Sequence, residues 1–277
     1  MIDLHTHTTA SDGRCTPAEL VARAASAGVE VLSVTDHDTT SACAPVSAAC
    51  AEAGIEFVPG IEVTAVVDGA DMHILGYFID PAAAPFAVFL TEARRMRVDR
   101  LRRIIERLAG HGIHLDAEAV LQPGTADNGK AAGRPWIARA LIAGGHVATI
   151  GEAFERWLSN GRPAFVERIG PSPEDVLREI HKANGIASLA HPGLLHRDDL
   201  IPGLAAAGMD AIEAYHSKHP HEDTVRYITF ADRLGLAISG GSDYHADPNA
   251  TITVGGVGLP RELYEALQKR ARSRTQS

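Results

Sequence analysis

Apolar segments that end in histidine or acidic residues constrain the fold of this chain more than any other feature of its sequence. The segment IDLHTH ends at His5 and His7, VEVLSVTDHD ends at Asp36 and His37, and GIASLAHPG leads to His191. Each segment is short and apolar, as buried strands are, and Ala-rich stretches with helical spacing lie between them. Strands that alternate with helices indicate βαβ units and a mostly parallel sheet.

About seven strands of this kind are predicted. The other four are IEFVPGIEVTA, MHILGYFI, MDAIEAYHS and LAISGGSDYHA. Helices are predicted over Thr16–Ala27, which Pro17 opens and Gly28 follows, and over residues 44–53, 173–183, 200–207 and 221–234. The 277 residues, 45% of them hydrophobic, are enough for a single α/β barrel or for two small domains.

Residues 87–168 show helical spacing and almost no strand pattern. We interpret them as a small all-helical insertion, with residues 1–86 and 169–277 forming the α/β part. The first helix of the insertion carries seven arginines beside its apolar positions: Arg94, Arg95, Arg97, Arg100, Arg102, Arg103 and Arg107. Such a face is most often solvated, and the alternative interpretation is that it attracts phosphate.

The histidines and acids that follow the strands are predicted to form one site. In a parallel α/β fold the carboxyl ends of the strands gather on one face, where active sites are found. That face would also receive Asp12, Glu62, His216, Asp243 and His245. His73 stands at the start of its strand, so it would join the site only if that strand runs antiparallel to its neighbours.

Cations are the economical explanation for so many imidazoles and carboxylates in one place. The group would be electrostatically costly alone, and its donors suit Zn²⁺, Mn²⁺ or Fe²⁺. In His5-x-His7 the alternation of a strand aims both rings to the same side. Singly, each residue has a structural interpretation as well, since His191 could cap a loop and Asp243 could bond turn amides. The repetition of the same chemistry at six strand ends favours a metal centre.

The net charge of −9 argues against broad nucleic-acid or membrane binding. The N-terminus is neither basic nor apolar, and no segment approaches the roughly 20 apolar residues that span a bilayer. Cys15, Cys43 and Cys50 form no CxxC pattern and are expected to be reduced. We therefore expect a cytoplasmic protein with no membrane association and no stable nucleic-acid partner.

The segments LHTHTTASDG, TDHD, GIE, AHP and GSDYH, with His73 between them, resemble the signature of the PHP (polymerase and histidinol phosphatase) family. They occur in the expected order over nearly the whole chain. The resemblance implies a distorted (β/α)7 barrel of the amidohydrolase superfamily with three divalent ions, for which Mn²⁺ is expected and Fe²⁺ or Zn²⁺ are alternatives.

The resemblance also implies which residues bind each ion. His5, His7, Glu62 and Asp243 would hold one ion. Glu62 would bridge to a second ion held with His73 and His191, and a third would be held by Asp12, His37 and His245. Each ion would keep open positions for water or for a phosphate oxygen.

The expected reaction is hydrolysis of a phosphate ester by a metal-bridging hydroxide, with catalytic roles for His191, His216 and Asp243. Lys130 and Arg134 in GKAAGRPWIA are candidate phosphate contacts, although an ordinary loop is the simpler interpretation of that segment. His216 could bind phosphate or protonate the leaving group, and His196 is a weaker substrate candidate. A GRP segment at this point resembles a subgroup acting on nucleotides and RNA ends, in which histidine is common at the position of Trp136.

That subgroup implies removal of the 3'-phosphate from nucleoside 3',5'-bisphosphates, giving AMP from adenosine 3',5'-bisphosphate. The insertion would contribute to the substrate pocket. Alternatives are 5'-to-3' trimming of short 5'-phosphorylated RNA, a histidinol-phosphate phosphatase, and a non-enzymatic metal-binding module. A C–N hydrolase would need a bridging lysine at a strand end, and the sequence has none there.

Overall fold

The computed structural model describes residues 1–125, 132–248 and 250–275. Seven strands form one sheet in chain order: β1 (Ile2–Asp3), β2 (Val31–Val34), β3 (Glu56–Val67), β4 (Ala70–Tyr77), β5 (Ile186–Leu189), β6 (Ala211–His216) and β7 (Ala237–Gly241). A parallel bridge between Thr6 and Tyr244 and a bond from the Leu4 amide to the Gly240 carbonyl bring the two edges together. The sheet is therefore a nearly closed barrel, and the predicted α/β barrel is confirmed.

Strand β4 is the one reversed strand of the barrel. It pairs antiparallel with both β3 and β5, whereas the other neighbouring pairs along the sheet are parallel. The turn before it consists of Asp68 and Gly69, which have φ of 51° and 74°. Two consecutive residues with positive φ form the tight turn that joins antiparallel strands. The start of β4, with His73, consequently lies at the barrel end where the parallel strands finish.

Helices flank the barrel strands: α1 (Pro17–Ser26), α2 (Cys43–Ala53), α7 (Pro173–Lys182), α8 (Pro192–Leu195), α9 (Ile201–Ala206), α10 (His221–Leu234) and α11 (Arg261–Thr275). Thr16 and Glu19 form a capping box at the start of α1, and Ser172 and Asp175 form one at the start of α7. Helix α11 is not among the predicted helices. Its Tyr264 and Leu267 are buried against Leu4 of the barrel core.

The helical segment between β4 and α7 contains α3 (Ala84–Gly110), α4 (Ala117–Thr125), α5 (Arg134–Ala143) and α6 (Ile150–Ala153), followed by a π-helical turn at Phe154–Leu158. The first turns of α3 bury Phe86 and Leu90 in the barrel core. Further along, Leu101 and Leu108 pack in a separate apolar cluster with residues of α5. Helix α3 therefore connects two hydrophobic cores. None of the helices in the described part of the chain is long and apolar enough to cross a membrane.

Candidate metal centre

Nine side chains meet at the end of the barrel where the parallel strands finish. They are His5, His7, Asp12, His37, Glu62, His73, His191, Asp243 and His245. The structure thus places together all nine residues for which the sequence predicts a metal-binding role. Their role as ligands stays a prediction.

Glu62 lies at the centre of this group. Its Oε1 is 2.8 Å from Nδ1 of His73 and 3.0 Å from Nε2 of His191. Its Oε2 is 3.1 Å from Nδ1 of His37 and 3.3 Å from Nε2 of His7. The side chain is fully buried. One carboxylate that faces imidazoles with both oxygens is placed as a bridging ligand would be.

Asp12 and Asp243 stand on two further sides of the group. Oδ1 of Asp12 is 3.2 Å from Nε2 of His245, and Oδ2 is 3.7 Å from Nε2 of His37. Oδ1 of Asp243 is 3.3 Å from Nε2 of His7 and 3.5 Å from Nε2 of His5. Each carboxylate therefore faces more than one imidazole.

The donor atoms fit divalent ions better than they fit a network of hydrogen bonds. Nε2 of His5 and Nε2 of His7 face each other at 3.1 Å. Nδ1 of His37 and Nδ1 of His73 are buried without a hydrogen-bond partner among the described residues, although a Glu62 oxygen is close to each. Buried polar atoms normally have a partner, and a shared cation would supply it.

The grouping of ligands is less separate in space than the sequence implies. Four sets of residues have donor atoms that, within each set, all lie within 4.8 Å of one another. The sets are His7, Asp12, His37 and His245; His5, His216 and Asp243; His5, His7 and Glu62; and His37, Glu62 and His73. Four residues each belong to two sets: His5, His7, His37 and Glu62. Each could therefore serve a neighbouring ion. His216 belongs to one set, although it is predicted only as a catalytic and substrate-binding residue.

The carboxylates of the cluster are ionised by their surroundings. Burial opposes ionisation, but the surrounding imidazoles of His37, His73 and His5 hold the pKa of Glu62 well below its usual range. In the same way His37 and His245 overcome burial and lower the pKa of Asp12. Burial lowers the pKa of His37 to about 3, so that this ring is neutral and can donate its lone pair to a metal.

Two buried acids outside the predicted ligand set, Glu213 and Asp36, hold the cluster in place. Glu213 of β6 accepts a bond from the His191 amide at 2.7 Å, and its other oxygen is 2.9 Å from Nδ1 of His5. Asp36 accepts bonds from the Thr8 amide and hydroxyl at 2.8 and 2.6 Å. Such partners orient metal-binding residues. Glu213 could have been noticed as an acid inside an apolar strand.

An arginine-rich cavity of about 240 Å³ opens directly beside the cluster. Asp12, His37 and His73 form part of its wall, together with Asp71. The remaining wall includes Arg97, Arg100, Arg134, Arg139 and Arg168. Five guanidinium groups against two carboxylates give the cavity a positive balance, and anionic oxygen groups are the complementary ligands.

The arginines predicted to form one face of α3 occupy two different environments in the structure. Arg95 and Arg102 are exposed and bonded to acids on the surface. Arg97 instead reaches the cavity, where it pairs with Asp38 and donates to the hydroxyl of Thr64. Arg100 is buried and donates to the Val166 carbonyl at 2.9 Å. Arg95 and Arg102 therefore fit the interpretation of a solvated face, whereas Arg97 and Arg100 line the cavity.

The four predicted substrate contacts have different positions. Arg134 lines the cavity, with its guanidinium over the ring of Phe154. His216 is buried, with Nε2 3.4 Å from Oδ2 of Asp243. His196 is exposed at the end of α8, and no ion pair or ring contact of the described residues connects it to the cluster. Lys130 lies outside the described residues.

Comparison with known proteins adds to this geometry. The sequence model of the family described as PHP domain matches residues 3–150. The chain is 36% identical to a 3',5'-nucleoside bisphosphate phosphatase of Chromobacterium violaceum, over 92% of this chain and 90% of that protein. It is 34% identical to the 5'-3' exoribonuclease Rnm of Salmonella typhimurium, over 88% of this chain and 84% of that protein. It is also similar to the solved structure of an amidohydrolase from Chromobacterium violaceum with bound sulfate and no metal, with a TM-score of 0.82, 34% identity and coverage of 97% and 96%.

Proposed function

Because the chain belongs to the PHP domain family of metal-dependent phosphoesterases, we propose that it removes the 3'-phosphate of nucleoside 3',5'-bisphosphates. Adenosine 3',5'-bisphosphate would give AMP and phosphate. The proposal includes three divalent ions, with Mn²⁺ as the expected metal, held by the nine residues of the cluster.

The observation that carries the proposal is the direct contact between the cluster and the arginine-rich cavity. Asp12, His37 and His73 belong to both. A substrate with two phosphates can therefore place the phosphate to be hydrolysed at the cluster while the other binds the arginines. The bisphosphate phosphatase relative supports this interpretation. We interpret residues 87–168 as the insertion that supplies all five arginines of the cavity wall.

The chemistry that bound divalent ions supply here is ionisation of water and neutralisation of phosphate oxygens. The protein supplies position and charge. Arg134 and Arg139 would orient the second phosphate, so that the scissile phosphorus is held against the cluster. Burial of Glu62, His5 and His7 keeps bulk water from competing at the site.

His216 is suited to give a proton to the leaving oxygen. Its Nδ1 accepts a hydrogen bond from the Lys218 amide at 3.2 Å, so in the neutral ring the proton is on Nε2. That Nε2 is buried, and a carboxylate oxygen of Asp243 lies 3.4 Å from it. A ring in this tautomer is a donor rather than a metal ligand, which favours the proton-transfer role. His191 and Asp243 would act by holding metal.

Trimming of short 5'-phosphorylated RNA is the second candidate, because a terminal phosphate in the arginine cavity and a phosphodiester at the cluster use the same arrangement. The exoribonuclease relative supports it. Histidinol phosphate has a single phosphate and would leave the arginine cavity without an anion, so we place it lower.

The test is phosphate release by the Mn²⁺-loaded protein from adenosine 3',5'-bisphosphate. AMP, histidinol phosphate and a short 5'-phosphorylated RNA are compared in parallel, and Asp243→Asn is the inactive control. We expect fast, metal-dependent turnover of the bisphosphate that the variant lacks. Turnover of RNA with an inert bisphosphate would replace the first candidate by the second, and binding of metal without any turnover would favour the non-enzymatic module.

A further inference from the structure

A second cavity, an open groove of about 810 Å³, lies along α5 next to the arginine cavity. Three residues line both: Asp12, Trp136 and Arg139. The groove therefore adjoins the arginine cavity and, at Asp12, the metal cluster. Its volume is within the range of small-molecule sites and exceeds that of the arginine cavity.

We propose that this groove binds the nucleobase of the substrate and that Trp136 is the surface on which the base stacks. The inference rests on the proposed function, which requires a nucleotide substrate, and adds a subsite and a specificity residue to it. Arg139 would contact a phosphate of the same molecule at the junction of the two cavities.

The position of Trp136 favours stacking. Gly133 caps α5 and Pro135 lies in its first turn, so Trp136 stands at the start of a regular helix. The indole is half-buried and packs against the apolar cluster that contains Leu101. A ring that is fixed on one side and faces a cavity on the other loses little freedom when a base stacks on it.

The lining of the groove also suits a base. Val120, Ala140, Ala143 and Ile150 give it apolar walls, and Ser11 and Arg14 add polar groups. A nucleobase has apolar faces and hydrogen-bonding edges, so both kinds of surface have a partner. A phosphate alone would leave the apolar walls unused.

Arg139 is free to bind a substrate. It lies three residues after Trp136, on the same side of α5. Its side chain is exposed and has no ion pair or hydrogen bond among the residues described by the structure. Arg97 and Arg168 differ, because they are paired with Asp38 and Asp71. Arg139 can therefore bind a phosphate without breaking an existing contact.

Fluorescence of the Mn²⁺-loaded protein tests the proposal. The chain has two tryptophans, Trp136 and Trp157, so a Trp157→Phe background leaves Trp136 as the single indole. We expect adenosine and AMP to quench it saturably and ribose 5-phosphate to leave it unchanged. No quenching by AMP, or equal quenching by ribose 5-phosphate, would overturn the proposal.

Matched variants separate the two contacts. Trp136→Ala should weaken adenosine and AMP binding, measured by calorimetry, by about tenfold or more, while Trp136→Phe keeps most of the affinity. Arg139→Gln should weaken AMP and spare adenosine. Equal affinities of Trp136→Ala and the parent overturn the proposal, provided that circular dichroism shows both folded.

The same titration distinguishes failure of the subsite from failure of the proposed function. Quenching by AMP in a protein that does not hydrolyse adenosine 3',5'-bisphosphate would support the base subsite and reject the phosphatase. Hydrolysis with an unchanged KM in Trp136→Ala would support the phosphatase and reject the subsite.

Discussion

Nδ1 of His5 lies 2.9 Å from Oε1 of Glu213, and both side chains are completely buried. His5 lies just after β1 and Glu213 lies in β6. These two strands are far apart in the sequence and are not adjacent in the sheet. The contact leaves Nε2 of His5 facing His7 and Glu62. Glu213 therefore decides which nitrogen of His5 is available to a metal.

We expect Glu213→Gln to lower metal affinity and metal-dependent activity by about 10- to 100-fold, the usual effect of losing a partner behind a metal ligand. Metal content after dialysis and a Mn²⁺ titration of activity measure it. Glu262→Gln, on the first turn of the surface helix α11, is the control. Full metal affinity in Glu213→Gln would show that His5 is oriented without it.

Gly241 is predicted to be irreplaceable, because a Cβ there would overlap the backbone of His5. We expect Gly241→Ala to lower the free energy of unfolding by about 3 kcal/mol and to reduce metal loading. A Cβ added at Gly203 of α9 would instead stand in open space. Gly203→Ala should therefore leave the free energy of unfolding unchanged or raise it by about 0.5 kcal/mol. Urea denaturation compares the two, and equal stabilities would contradict the argument.

Arg134 is predicted to act on substrates with a second phosphate. Loss of a charged hydrogen bond of about 2 kcal/mol in Arg134→Gln should raise KM for adenosine 3',5'-bisphosphate more than tenfold. KM for p-nitrophenyl phosphate should change little. Arg95→Gln, an exposed residue of α3 outside the cavity, is the matched control. A parallel rise for both substrates would mean that Arg134 supports the fold rather than the second phosphate.

Asp210 gives a pH-dependent contribution to stability away from the metal centre. Burial opposes its ionisation, but His181, the Ala187 amide and Arg274 lower its pKa below the ordinary value of 3.8. An acid with a lowered folded pKa stabilises the protein above its unfolded pKa and loses that effect as pH falls through the folded value. Asp210→Asn should therefore cost about 2 kcal/mol at pH 7 and progressively less below about pH 4. A difference that stays constant with pH would contradict this assignment.

Much of the barrel and of the cluster followed from the sequence because strand ends gather on one face. Whether His73 joins the cluster depends on the direction of β4, which the strand pattern alone does not indicate. The Asp68-Gly69 pair contained the answer, because a two-residue turn of this kind joins only antiparallel strands. Helix α11 also had a signal, in the helical spacing of Leu263, Tyr264 and Leu267.

The arginine-rich cavity could not be predicted in the same way. Arg97 and Arg102 belong to the same arginine face in the sequence, yet one reaches Asp38 and the other stays in solvent. Their difference depends on which side of α3 meets the barrel. Arg168 enters the cavity from the far end of the helical segment, a position that no local pattern indicates. Contacts between distant segments, rather than local patterns, decide these positions.

The reversal of β4 affects which segment of the chain can change without altering the metal cluster. Strand β4 ends at the barrel mouth opposite the metal cluster, and α3, about 40 Å long, leads the chain back towards the cluster. The arginines that line the cavity lie on this return path and on the segments after it, whereas the cluster residues lie on the barrel. Insertions, deletions or exchanges between β4 and α7 can therefore change which phosphate ester is accepted while the catalytic machinery is inherited intact.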